Sequence, residues 1–130
     1  MKVDKAARYI GGEVNSIMKD KNNVDIRFAM CFPDVYEIGM SNLGMMILYN
    51  MFNEREDVWA ERVFSPWLDL DKIMREKNIP LFALESQEPV KDFDFLGITL
   101  GYEMCYTNVL QVLDLSHISL LTKDREEDDP

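Results

Sequence analysis

The sequence predicts an α/β domain built around a parallel β-sheet. Two observations predict it. Apolar segments of strand length alternate with segments of helical period, in the order strand, helix, strand, helix, strand, helix. The first strand candidate also turns continuously apolar toward its end, as a strand covered on both faces does in a parallel sheet. Right-handed crossovers are the expected connections.

Residues 1–24 read as an N-terminal arm, in which Gly11-Gly12 marks a turn or a close backbone contact. The pair is no phosphate loop, since no strand precedes it and no Gly-Lys-Ser/Thr follows. The α/β domain spans 25–122. Its first strand runs from Val24 to Phe32 and stops at Pro33. After a loop, Ser41 or Asn42 can cap a helix over 42–53. Leu43, Met45, Met46, Ile47, Leu48, Met51 and Phe52 make that helix apolar nearly all round, which predicts heavy burial. A second strand is expected from Val58 to Phe64. Ser65-Pro66 then reads as cap and first helical residue, with Trp67, Leu70, Ile73 and Met74 as the buried stripe to about Lys77. Leu81 to Leu84 is a short strand candidate, and Phe93 to Leu100 a stronger one. A last helix over 103–116 sets Tyr106, Val109, Leu110, Leu113 and His117 on one side. Residues 123–130 form a charged tail expected to fray. Doubly wound domains have about five or six strands, so either the sheet is small or the chain is a fragment.

Composition narrows the function. At 47% hydrophobic and 29% charged residues, the chain suits an ordered globular domain. Against 14 Lys and Arg stand 24 Asp and Glu, for a net charge of −10, and such a surface repels phosphate backbones. Direct nucleic-acid binding is therefore not expected. No apolar run approaches the ~20 residues of a membrane span, and no apolar signal core follows the polar start. A cytoplasmic location is expected. Cys31 and Cys105 lie far apart and read as buried free thiols, and the single histidine leaves too few ligands for a closed zinc site. The nine methionines read as core filling.

In open parallel sheets, ligands bind beyond the carboxyl ends of the strands. Two loops lie there. The first carries Asp34, Tyr36, Glu37, Gly39, Ser41 and Gly44, and the second carries Tyr102, Glu103 and Cys105. Gly39 would let backbone approach a ligand, and Gly44 would let the following helix sit close to the sheet. A helix N-terminus offers free N–H groups. The same residues also describe a plain strand-to-helix turn with a capping serine. The spacing is not that of a dinucleotide fingerprint. A hydrolytic triad fails because no nucleophile elbow is present and His117 ends a helix. Glu85 and Glu88 read as a solvated loop pair, and Cys105 has no evident neighbour to activate it.

Several segments are similar to one family. They are Arg8 to Glu13, Phe32 to Gly44, Ala60 to Phe64, Leu81 to Ser86 and Tyr102 to Leu110. The first-loop block, Phe32 to Gly44, is the most specific. Together they resemble bacterial radical S-adenosylmethionine (radical SAM) proteins with a cobalamin-binding-like N-terminal domain, over about residues 7–130. The resemblance implies a Rossmann-like parallel sheet flanked by helices, incomplete here at the C-terminus. It implies a downstream radical domain as partner, where a CxxxCxxC motif holds a [4Fe–4S] cluster that cleaves S-adenosylmethionine. The N-terminal domain covers that site or holds a corrinoid above it. Asp34, Tyr36, Glu37, Gly39, Ser41, Gly44, Tyr102 and Glu103 are the expected ligand contacts, none of them catalytic.

Two departures matter. The chain has no CxxxCxxC, so it starts no radical chemistry alone, and Pro130 falls before an expected glycine-rich strand and loop. In cobalamin domains with Asp-x-His, the histidine is the lower cobalt ligand. Asp34-Val35-Tyr36 puts tyrosine in that place. Cobalamin could then bind only without a protein ligand to cobalt. The alternative is an interaction module that has lost its cofactor and whose apolar edge favours self-association.

Overall fold

The computed structural model describes residues 3–130, so the first two residues of the arm lie outside the described residues. Strands β1 (Ile26–Phe32), β2 (Val58–Phe64) and β3 (Phe95–Ile98) form one parallel sheet in the order β2-β1-β3. Ile26 lies opposite Val58 and Phe32 opposite Phe64, while Phe28 lies opposite Phe95 and Cys31 opposite Ile98. The helices are α1 (Tyr36–Met40), α2 (Leu43–Asn53), α3 (Leu68–Lys77) and α4 (Tyr106–Leu115). The architecture is thus the predicted α/β fold, a parallel sheet flanked by helices.

Strand alternation divides the core into two layers. Ala29 and Cys31 of β1 and Val63 of β2 pack with Met74 of α3 and Val112 and Leu113 of α4. Met30 and Phe32, with Ala60 and Phe64, pack on the other face with Met45 and Tyr49 of α2.

The helix ends follow local chemistry. The Asn42 side chain caps α2 by accepting from the Met45 N–H at 2.9 Å, while Ser41 Oγ donates back to the Glu37 carbonyl at 2.6 Å. Both α3 and α4 end on a left-handed residue, Asn78 (φ 53°) and His117 (φ 58°). The next N–H of each reaches back across the last turn, Ile79 to the Met74 carbonyl at 2.8 Å and Ile118 to the Leu113 carbonyl at 3.0 Å. The lone histidine is a helix terminator exposed to solvent.

Five expectations are corrected. The helix expected from Ser65-Pro66 begins at Leu68, because the Ser65 N–H is held by the Asp34 carbonyl at 2.9 Å and keeps the chain extended. Trp67, expected in the buried stripe, is exposed. Helix α2 buries only Met45, Tyr49 and Asn53, since among the described residues nothing covers its other side, and Leu43 is 72% exposed. Leu81–Leu84 makes no strand: Phe82 bridges only Pro89, and Leu84 donates its N–H to the Arg62 carbonyl at 2.8 Å. On α4, Val112, Leu113 and Leu115 take the core, while Tyr106 and Leu110 are exposed. Among the described residues, no helix is long and apolar enough to cross a membrane.

Candidate functional site

Because β1 and β3 are neighbours, the loops after them meet. Tyr102 Oη donates to Asp34 Oδ2 at 2.6 Å, and Asn108 Nδ2 donates to the Pro33 carbonyl at 2.8 Å. Asp34 Oδ1 accepts the Val35 N–H at 2.7 Å. The hydrogen bond to Asp34 pushes the Tyr102 phenol up from its ordinary range. Beside this junction opens a cleft of about 290 Å³, lined by Asp34, Val35, Ser65, Pro66, Trp67, Leu68, Asn108 and Gln111. It lies at the carboxyl ends of β1 and β2, between the starts of α3 and α4, where open α/β sheets hold ligands.

Of the eight expected contacts, Asp34 and Tyr102 come together here. The others face elsewhere. Tyr36 packs edge-on against Phe64 and donates its hydroxyl to Glu13 Oε1 at 2.8 Å, and burial followed by that bond pushes its phenol up to about 12. Glu37 pairs with Arg8 of the arm at 2.8 Å. Gly39 lies under the Phe64 ring, where a Cβ would come within 2.2 Å of a ring carbon, so that ring fills the space a ligand would need. Ser41 turns back onto α1. Gly44 and Glu103 are solvent-exposed, and Gly44 makes no close approach to the sheet.

The sequence reading missed a polar seam along β2. Arg62 is fully buried beneath the arm. Its Nε donates to Glu85 Oε1 at 2.5 Å, its Nη2 to Glu13 Oε2 at 3.2 Å and to Ser16 Oγ at 3.0 Å, and its guanidinium lies 4.8 Å from the Tyr49 ring centre. Burial works against the Arg62 charge, but Glu85 and Glu13 outweigh it and hold the pKa above the ordinary value. Glu85, expected in a solvated loop, is instead buried against this cation. On the other face Arg27 pairs with Glu61 at 2.5 Å and with Glu88, and stacks 4.2 Å from the Phe93 ring centre. The signal was available: Glu61-Arg62 stands inside a strand otherwise apolar on both faces.

A corrinoid is the cofactor that the resemblance implies. The donor set does not fit one held through cobalt. The only histidine ends α4, and Tyr36, in the place of a lower ligand, is committed to Glu13. The cleft is at the small end of ligand sites, which run from about 300 Å³ upward. Among the described residues, no group of three His, Cys, Asp or Glu could hold a metal ion. Cys31 and Cys105 are both buried free thiols, and burial pushes the Cys31 thiol up, away from reactivity.

Fold and crevice together define an α/β domain with a ligand-type opening at the carboxyl edge of its sheet. The chain belongs to the family described as radical SAM proteins, N-terminal, whose model matches residues 44–130. That match begins at Gly44, so the arm and nearly all of the first-loop block lie outside it. No curated protein and no solved structure matches the chain.

Proposed function

We propose that this chain is the accessory N-terminal domain of a radical SAM enzyme and covers its catalytic domain without doing chemistry itself. The family match over residues 44–130 carries the reading. The [4Fe–4S] cluster and S-adenosylmethionine belong to the catalytic domain, since this chain has only two cysteines, both buried. Covering is favoured over holding a corrinoid because Tyr36, Glu37 and Gly39 are engaged by Glu13, Arg8 and Phe64. A corrinoid would have to bind with no protein ligand to cobalt. The setting that goes with free thiols and cluster chemistry is the cytoplasm.

Two measurements test the reading. Titration with hydroxocobalamin, followed by its visible spectrum, is expected to show no shift; a saturable shift would move the assignment to corrinoid holding. Mixing with a reconstituted radical SAM catalytic domain stripped of its own N-terminal region is expected to give a complex that slows cluster loss in air. No association would leave only a free-standing interaction module.

A further inference from the structure

We infer that the charged segment 121–130 is a strap, latched by Lys91, that closes over an apolar hollow between β3 and α4 and is poised to release it. The inference stands apart from the accessory-domain reading and draws only on contacts within this chain.

The strap is shaped by its own bonds. Asp124 donates its N–H to the Leu121 carbonyl at 2.9 Å, Arg125 to the Thr122 carbonyl at 3.3 Å and Asp129 to the Glu126 carbonyl at 3.2 Å. Asp129 Oδ2 accepts the Glu126 N–H at 3.0 Å, and Arg125 Nε donates to the Ser119 carbonyl at 3.1 Å. Among the described residues, no backbone group from 121 to 130 bonds to any residue before Ser119. The polar tie to the rest of the domain is a single side chain. Lys91 Nζ lies 3.4 Å from Glu126 Oε2 and 3.3 Å from Asp129 Oδ1.

Burial shows where the strap sits. Residues 121–128 are exposed, yet Asp129 and Pro130 are half-buried, and the Asp129 side chain is only 3% exposed. Pro130 and Arg125 help to close a hollow of about 300 Å³ whose other lining is Leu96, Ile98, Leu100, Val109 and Leu113. Leu96, Ile98 and Val109 are partly buried against the core layer of that face. The strap therefore keeps water from apolar surface that the short strand β3 leaves uncovered.

The latch works against like charge. A groove of about 490 Å³ next to Lys91 is lined by Asp92 and Asp94 from the approach to β3 and by Glu127 and Asp128 from the strap. These carboxylates repel across it. Exposed ion pairs are individually weak, and Lys91 and Glu126 are both solvent-accessible. One cation thus holds the strap down against facing carboxylates, a balance that a single change of charge can tip either way.

The test is NMR of the isotope-labelled chain, reading amide exchange at Glu126 and Asp129 and the methyl shifts of Leu96, Val109 and Leu113. Lys91→Gln removes the latch and should speed exchange at both amides about fivefold, the loss of two weak surface pairs. The three methyls should shift as the hollow opens. The Met45 methyl, in the opposite core layer, should stay in place. The second variant, Asp92→Asn with Glu127→Gln, removes one carboxylate from each side of the groove and should slow the same exchange. Unchanged exchange in Lys91→Gln, faster exchange without movement of the hollow methyls, or a Met45 shift as large as that of Val109 overturns the inference. So does exchange in the second variant that is no slower than in the parent chain.

Discussion

Along β2 every residue is buried although the strand lies at an edge of the sheet, whereas Phe95 of β3, at the opposite edge, is 53% exposed and its three neighbours are half-buried. The backbone of β2 is satisfied largely by side chains. Asn53 spans Ala60, accepting its N–H at 3.0 Å and donating to its carbonyl at 2.9 Å. Glu85 accepts the Arg62 N–H at 2.7 Å, and Leu84 donates to the Arg62 carbonyl. The arm closes over this edge: the Trp59 indole donates to the Ile17 carbonyl at 3.0 Å, and Lys19 donates to the carbonyls of Asn53, Arg55 and Val58 around the end of α2. A strand edge finished in this way cannot recruit another strand. Four residues of β3 with no such covering leave the other edge open.

The closed edge depends most on Arg62. Replacing it with leucine leaves Glu85 as a buried carboxylate without its cation, a loss of about 3–5 kcal/mol. Urea unfolding should show it as a lower midpoint at unchanged slope. The double change Arg62→Leu with Glu85→Leu should recover part of the loss. If the single and double variants are equally destabilised, the ion pair is not what holds this edge.

Asn53→Ala comes next. It orphans both backbone groups of Ala60 in a buried setting, and removing such partners costs about 1–3 kcal/mol. Hydrogen exchange sharpens the comparison. The Ala60 amide should lose protection far more than any amide of β3, and equal losses on both strands would mean that Asn53 stabilises the fold globally.

Protonation should loosen the arm with a smaller effect. Burial pushes the Glu13 carboxyl up, but hydrogen bonds from its own backbone, Tyr36 and Ser16, with the Arg62 charge, hold it below the usual carboxylate range. A depressed carboxyl stabilises the fold above its unfolded pKa and loses that contribution as pH falls through the folded one. Tyr36, raised to about 12, works in the opposite sense: its contribution is full below the unfolded value of about 10 and is lost as pH climbs through 12. The arm should therefore sit tightest between these limits. The Trp59 indole N–H resonance reports its seating, and it should move at both extremes before Met74 and Val112 of the far core layer respond.

How much of this was legible follows the same division. The three sheet strands and the Asn42 cap were readable because alternation, Pro33 and Asn42 act over a few residues. The meeting of Asp34 with Tyr102 was readable once β1 and β3 were taken as neighbours. The seam was not, because Glu13, Arg62 and Glu85 come from three distant segments, and a charged residue in a strand ordinarily signals a solvent face. Ser65 looked like a helix cap by composition, and only the tertiary bond from its N–H to Asp34 shows otherwise. Burial of α2 was overread, since an apolar sequence states what a helix can bury and not whether anything covers it.

That uncovered side gives the smallest expected effect on stability and the clearest one on association. Leu43, Ile47, Leu48 and Met51 are each at least 41% exposed on one helix, and Phe95 is half-exposed on the open strand. Phe28, within 5.1 Å of Phe52 and 6.4 Å of Phe95 between ring centres, bridges the two elements. Ile47→Lys with Met51→Lys changes exposed positions only, so stability should stay within about 0.5 kcal/mol per site. The apolar patch would nevertheless be broken by two charges on a chain of net charge −10. Sedimentation velocity across a concentration series should show the parent chain self-associating and the lysine variant remaining monomeric. If both stay monomeric, the open edge is less adhesive than its apolar residues suggest. If both associate alike, the contact lies elsewhere, and Phe95→Lys on β3 becomes the discriminating change.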